Sequence, residues 1–579
     1  QCKAAPLFRV ADDVIRDPLA APAVPLLILL LEAGIPLLSV LSDRELHEDG
    51  QPFSKESLSA LAAFLNRLAF RFVWELSDDA SPLPSSAASS FGLAIGVSAA
   101  MTGGSAANAL RRSLRDSCVS LLALLAERDA RRPFCPDGLW LIPELRYSEL
   151  HRELLEQKPR AKRLLNSLPW ALPFERRVNV FRELVQKEKE SLPGEDLPEH
   201  MKGHRVKIRR EQLLEDGYVQ MGNLQMEQLK GTIRVEFVNR MGLGEAGIDR
   251  TGVFKEFMED VCKKAFDPNL GLFKQSEAQF LYPSPTSEQA DSSHLRYFEF
   301  VGRMLGKAVY EGIVLEVPLA DFFALKLLGR PATLDELPSL DPELAQHLDF
   351  LKRYDGDVET DLCLTFSVDD DEFGKRTTVD LKDGGRCVNV TNDNRIEYVH
   401  LMAEYRLNGQ VAKQSKAFLH GMHAVVPPGW LRLFNRPELQ RLISGDDVPI
   451  DVTDLRKHTK YAGGYNDLSP TIRDLWSVLN DFSKEDRGLF LKFVTSCSKP
   501  PLLGFAHLHP SFTVQCVASD GGEIPSVLAF FGMGRKETSR LPTSATCFNL
   551  LKLPNFKSKK VLKERLLYAI KSESGFDLS

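Results

Sequence analysis

Apolar positions recur with a helical period through the first 200 residues. Leu58, Leu61, Ala62, Leu65, Leu68, Ala69 and Phe72 fall at i, i+3, i+4, i+7 spacing, as do Leu110, Leu114, Cys118, Leu121, Leu122 and Leu125, so each set lines one face of an amphipathic helix. Leu19 to Ser42 is apolar almost throughout, but Pro22, Pro25 and Pro36 interrupt it and Glu32 stands near its middle. A membrane-spanning helix needs about 20 mostly uninterrupted apolar residues, so a buried pair of helices is expected here instead. Ser77 to Ser105, including SPLPSSAASS, has too little apolar surface to offset its ordering entropy and reads as a disordered insert.

From Gly231 the period changes. Ile233 to Val238 is rich in β-formers, and a glycine-punctuated loop then leads into a helix from about Val253 to Phe266. Leu362 to Val368 and Thr377 to Leu381 alternate with period two, and Asp383, Gly384 and Gly385 supply a turn before Cys387 to Val390, which together predict a small sheet. Phe298, Val301, Leu305, Ala308 and Val309 mark a helix, and Leu562, Leu566, Ala569 and Ile570 mark a terminal one. The fold class expected is α+β, and no repeat of solenoid period is evident.

The length of 579 residues corresponds to roughly four domain-sized units at about 150 residues each. With 26% charged and 43% hydrophobic residues the composition is that of an ordinary globular chain. Lys and Arg number 73 against 79 Asp and Glu, a net charge of −6, which argues against binding nucleic acid through bulk electrostatics. Basic residues do gather in KPRAKR (Lys158 to Arg163) and KGHRVKIRR (Lys202 to Arg210), flanking the helical segment Phe174 to Glu190; a solvated helix face outweighs a polyanion site there. Nine cysteines without a C-x-x-C pair do not form a secreted disulfide framework, so a reducing cytoplasmic or nuclear compartment is expected. The first residue is Gln1, from which a fragment of a longer protein is expected.

Gly242-x-Gly244-x-x-Gly247 follows a strand and precedes a helix, the context of a dinucleotide-binding fingerprint. After that helix, however, the chain runs into LGLFKQSEAQFLYPSPT where a second parallel strand ending in an acidic residue should stand, so no cofactor is expected. His507 and His509 with Cys516 lack a fourth ligand at zinc spacing, and Asp369 to Glu372 lacks the spaced ligands and central glycine of a calcium loop; the first reads as loop histidines, the second as a solvated turn, and no metal is expected. Cys547 is different. RLPTSATCFNLLKLP (Arg540 to Pro554) brings it to the start of a short apolar strand, Phe548 to Leu553, flanked by the hydrogen-bonding Ser544, Thr546 and Asn549. Free cysteines are commonly just buried, but these neighbours suggest an exposed edge, and a nucleophile there would act as the thiolate.

From about Gly231 to Ser579 the chain resembles the HECT ubiquitin ligase domain. The resemblance is carried by EAGIDRTGVFKEF (Glu245 to Phe257), GRMLGKAVYEG (Gly302 to Gly312), VTNDNRIEYV (Val390 to Val399), HTKYAGGY (His458 to Tyr465), KFVTSCSKPPLLGF (Lys492 to Phe505), LPTSATCFNLLKLP and the terminal GFDLS. RAKRLLNSLPWALPFERRVNVF, upstream, is similar to the branch of proteasome-associated animal ligases and their plant relatives.

The resemblance implies that ubiquitin passes from a conjugating enzyme to Cys547 as a thioester and then to lysines of protein substrates, with Thr546 in support and Phe576 needed for the second step. It implies a bilobal domain behind an all-helical extension: a helical region over 1–76, the insert at 77–109, helices over 110–230, an amino-terminal lobe at 231–443, a hinge at 444–448 centred on Gly445 and Asp446, and a carboxyl-terminal lobe at 449–579. The conjugating enzyme would dock on a subdomain at about 340–420 through Leu344, Leu348, Tyr354, Leu362, Leu364 and Tyr398; the weaker alternative is that all six are ordinary core. Two positions depart from the family: Ala545 stands where many members carry His, and Gly522 to Lys536 looks inserted. A catalytically idle scaffold that binds ubiquitin or a conjugating enzyme is the alternative, and a nucleotide-cofactor oxidoreductase the weaker one.

Overall fold

The computed structural model describes residues 24–50, 52–75, 103–193, 203–238, 252–372, 375–446, 448–508, 510–517 and 541–572. The chain divides into two compact units. One comprises Gln1–Glu183, Leu327–Pro338 and Pro428–Glu438; the other comprises Leu184–Lys326, Ser339–Pro427 and Leu439–Ser579.

The first unit is helical among its described residues. Val24–Val40 forms one continuous helix that retains Pro36, where a helix pair was expected. It is also only half covered: Leu27, Leu31 and Leu38 are buried while Leu26, Leu29, Leu37 and Val40 face outward. No described helix is long and apolar enough to cross a membrane. The helix Lys55–Phe70, capped by Ser54, buries Leu58, Leu61, Ala62, Leu65, Leu68 and Ala69 as its spacing predicts. Its neighbour begins at Gly103, inside the segment read as an insert, and runs to Arg131 with Leu114, Cys118, Leu121, Leu122 and Leu125 buried. The end of this helix is held by charge: Arg128 meets Asp43 at 2.8 Å, and Arg131 meets Asp43 at 2.8 Å and Glu336 at 2.7 Å. Buried charges persist only when paired in this way.

The second unit contains a strand where helix was expected. His204–Arg209 pairs in parallel with Ile233–Val238, so the segment ahead of the expected amino-terminal lobe is not all helical. The alternation explains it: Val206 and Ile208 are buried while the basic residues between them point outward, and Arg209 closes on Asp216 at 2.6 Å. The basic run Lys202 to Arg210 is therefore largely strand rather than helix face. LGLFKQSEAQFLYP folds back as the hairpin Phe273–Gln275 with Leu281–Pro283. A dinucleotide fold requires a parallel crossover strand at that point, and the topology contradicts it; the glycine loop itself lies outside the described residues.

The core of this unit is the crossing of helix His294–Glu311 with helix Ala412–Val425. A Cβ on Gly302 would lie 2.1 Å from Phe418 O, and one on Gly421 would lie 1.9 Å from Glu299 O, so two glycines facing opposite backbones permit the approach. Beyond it, helices Pro342–Arg353 and Arg395–Glu404 pack together beside a hairpin. The hairpin strands are Ser367–Glu372 and Lys375–Asp380; the acidic run read as a turn is thus a strand, and Leu362 to Leu364 precede it. Gly385–Cys387 is a 3₁₀ turn rather than the start of a strand.

Residues 449–572 build a four-stranded sheet in the order Lys460–Ala462, Thr513–Val517, Leu550–Pro554, Thr543–Ala545. The first three strands are parallel and the last is antiparallel. Helices Pro470–Asp481, Lys484–Thr495 and Lys559–Lys571 cover it, burying Trp476, Leu491, Val514, Leu551, Leu553, Leu562 and Leu566 in one core.

Candidate active site

Cys547 sits on a turn fastened at both ends. Thr543–Ala545 and Leu550–Pro554 are adjacent antiparallel strands, and Thr546–Phe548 joins them as a single 3₁₀ turn. The strand after the cysteine therefore starts at Leu550, two residues later than its apolar run predicts. Asn549 causes the delay. Its φ of 47° is left-handed, a conformation that asparagine tolerates better than most residues. Its amide donates to Thr546 O at 3.1 Å, its Nδ2 donates to Pro510 O at 2.6 Å, and its carbonyl accepts from Thr513 N at 2.9 Å. Thr546 is buried beneath the turn and Phe548 is exposed on it.

Two helices pack against this turn, Gly252–Ala265 and Lys484–Thr495. Lys255 of the first donates through Nζ to Thr495 O at the end of the second, and nearby Ser498 donates through Oγ to Glu316. Glu259, one turn after Lys255, lies in the same seam with Oε1 3.9 Å from Lys255 Nζ. Burial pushes its carboxyl up to about 8. Burial likewise pushes the Cys497 thiol up to about 11 and the Cys262 thiol up to about 12, which leaves both as thiols at neutral pH. No described group of His, Cys, Asp and Glu could hold a metal ion.

The segment expected to form the hinge follows helix Arg436–Ser444. Gly445 ends that helix with φ of 70° and donates its amide to Arg441 O at 2.8 Å. A Cβ there would stand 3.1 Å from Val314 Cγ1 and 3.4 Å from Lys499 Cβ, so space and conformation both select glycine. Asp446 accepts from the Arg441 guanidinium, with Nη2 to Oδ2 at 3.0 Å. Phe576 and the segment 522–536 lie outside the described residues.

The six residues expected to meet a conjugating enzyme fall in one subdomain but not on one surface. Leu348 and Tyr398 are only 3% and 6% exposed, and the Tyr398 ring stands edge-on to Phe366 at 5.5 Å. Leu344, Tyr354, Leu362 and Leu364 are half-buried. Leu364 O accepts from Val390 N at 2.8 Å and the Arg395 guanidinium donates to Tyr354 O, which ties the loop and the helix of Tyr398 together. Tyr354 OH donates to Asp361 at 3.0 Å. The sequence reading missed Phe350: it is 57% exposed, with its ring centroid 5.3 Å from that of Tyr354. Its signal was an aromatic residue one helical turn before Tyr354 and off the buried face of its helix.

The chain is similar to known proteins over most of its length. The family described as HECT-domain (ubiquitin-transferase) matches residues 259–579. The chain is 44% identical over 573 residues to the human "Ubiquitin-protein ligase E3B", covering 96% of this chain and 51% of that protein. It is 38% identical over 545 residues to "E3 ubiquitin-protein ligase UPL6" of Arabidopsis thaliana, covering 94% and 50%. It is 38% identical over 432 residues to "E3 ubiquitin-protein ligase HUL5" of Saccharomyces cerevisiae, covering 72% and 45%. The chain thus spans about half the length of the curated relatives it matches.

Proposed function

The chain belongs to the HECT-domain ubiquitin-transferase family, and from that premise we propose that it is a ubiquitin-protein ligase that carries ubiquitin as a thioester on Cys547 and passes it to lysine amines of protein substrates. The observation that carries this reading is the fastened turn of Thr546–Phe548, which presents the cysteine backbone at the end of a strand and against the helix Gly252–Ala265.

Exchange of a thioester for a thioester is close to thermoneutral, so the first half-reaction needs mainly proximity and orientation. A fixed turn supplies orientation, and the Gly445 and Asp446 segment supplies a place for the chain to bend between conjugating enzyme and substrate. The conjugating enzyme docks on the subdomain of Leu344, Tyr354, Leu362 and Leu364, with Phe350 as an exposed anchor and Leu348 and Tyr398 as the floor. Phe576 holds the loaded lobe toward the incoming lysine. The free cysteines of the described residues support a reducing compartment, cytoplasm or nucleus, and the branch resemblance supports substrates reached at the proteasome.

Incubation with activating enzyme, conjugating enzyme and ubiquitin, followed by a non-reducing gel, tests the proposal. A ubiquitin adduct that a thiol reductant removes is expected; a folded chain that forms none would instead be a scaffold.

A further inference from the structure

Helix Gly252–Ala265, which packs against the Cys547 turn, holds one carboxyl whose ion pair is loose. Among the described residues, Glu259 Oε1 is buried and makes no hydrogen bond. The ammonium beside it, Lys255 Nζ, is 3.9 Å away and already donates to Thr495 O. Native proteins satisfy nearly all buried polar atoms, and an exception points to strain or to chemistry.

The surroundings favour chemistry. The helix of Glu259 packs on Thr546–Phe548, as does Lys484–Thr495, and Lys255, one turn before Glu259, donates to Thr495 O at the end of the latter. The titratable groups facing it are Lys255, Asp260 and Cys262 on its own helix, Glu316 after helix His294–Glu311, and Lys492 and Cys497 on and after Lys484–Thr495. Cys262 and Cys497 are held as thiols. Of the three carboxyls here, Asp260, Glu316 and Glu259, only Glu259 has a buried oxygen without a hydrogen bond among the described residues, and Glu316 already accepts from Ser498, so Glu259 is the one suited to accept a proton.

We propose that Glu259 is the proton acceptor for the substrate lysine, a role that rests on Cys547 bearing the ubiquitin thioester. A lysine arrives as an ammonium ion without a free lone pair. The Glu259 carboxylate takes one proton; the amine attacks the thioester carbonyl carbon; the C–N bond forms as the C–S bond breaks; and the second proton leaves the nitrogen to neutralise the departing Cys547 thiolate. A carboxyl raised toward the working pH keeps more driving force for this transfer than an ordinary one. The thiol-to-thiol step has no ammonium to deprotonate, so it does not call on Glu259.

The test is single-turnover discharge of the preformed thioester on the full chain, once to free lysine and once to hydroxylamine, which is neutral at pH 7 and needs no base. Glu259→Gln should charge normally, discharge to hydroxylamine at the parent rate and lose at least about tenfold in discharge to lysine. Glu259→Asp should recover part of that loss. In the parent, lysine discharge should rise with pH and level off above about 8, whereas Glu259→Gln should keep rising with the free-amine fraction. Equal slowing toward both nucleophiles would reveal a structural role, and unchanged lysine discharge would remove Glu259 from the reaction; either overturns the proposal. Failure of the parent chain to charge at all would instead overturn the thioester reading beneath it.

Discussion

Asn549 Nδ2 donates a 2.6 Å hydrogen bond to Pro510 O, joining the turn that carries Cys547 to the chain entering the neighbouring parallel strand. A catalytic turn is most useful when it does not wander, and this bond fixes it from outside its own hairpin.

Asn549→Ala should cost about 2–3 kcal/mol, adding the strain of a left-handed alanine to the loss of the hydrogen bond to Pro510 O. Asn549→Gly removes the bond but relieves the conformation, so it should cost less. Urea unfolding measures both, and charging rates should fall in the same order. Equal stability for the two variants would mean that the left-handed backbone contributes nothing.

Proline fixes φ near −65° and cannot adopt the 70° of Gly445. Replacing Gly445 and Asp446 together by proline should therefore slow both charging and discharge while the separate cores stay folded. Fluorescence of the buried Trp476 reports the carboxyl-terminal core. Single-turnover rates equal to those of the parent would place the bending elsewhere.

Docking and folding separate within the conjugating-enzyme subdomain. Phe350→Ala should weaken the conjugating enzyme by about tenfold, equivalent to about 1.4 kcal/mol, with little change in stability, because that ring is exposed. Leu348→Ala should instead cost about 2–5 kcal/mol of stability as a buried truncation. Titration calorimetry paired with thermal unfolding distinguishes the two. Unaltered affinity for Phe350→Ala would move the docking surface away from this helix.

Much of this architecture is legible in the residues alone, and the misses have physical causes. Helices Lys55–Phe70 and Lys559–Lys571 follow their apolar spacing because each buries one face on a core. His204–Arg209 was taken for helix because its charges dominate composition, although Val206 and Ile208 alternate as a strand requires. Val24–Val40 stays whole despite Pro36, so proline spacing overstated the break. The run Leu362 to Val368 is interrupted by Cys363, whose φ of 50° turns the chain before the strand begins. Cys547 is recognisable from its motif, whereas nothing in the local sequence sets Glu259 apart from other acidic residues on a helix. Its burial and its place in the seam are tertiary facts that local sequence does not encode.

The most direct measurement is a non-reducing gel of the charging reaction on single-cysteine variants. Cys547→Ala should lose both the reducible ubiquitin adduct and ligation. Cys497→Ala should retain both, because Cys497 is buried with its thiol pushed up to about 11, and so should Cys516→Ala, whose residue pairs within the sheet opposite Leu553. A reducible adduct of normal yield on the Cys547→Ala chain would contradict the account at its centre.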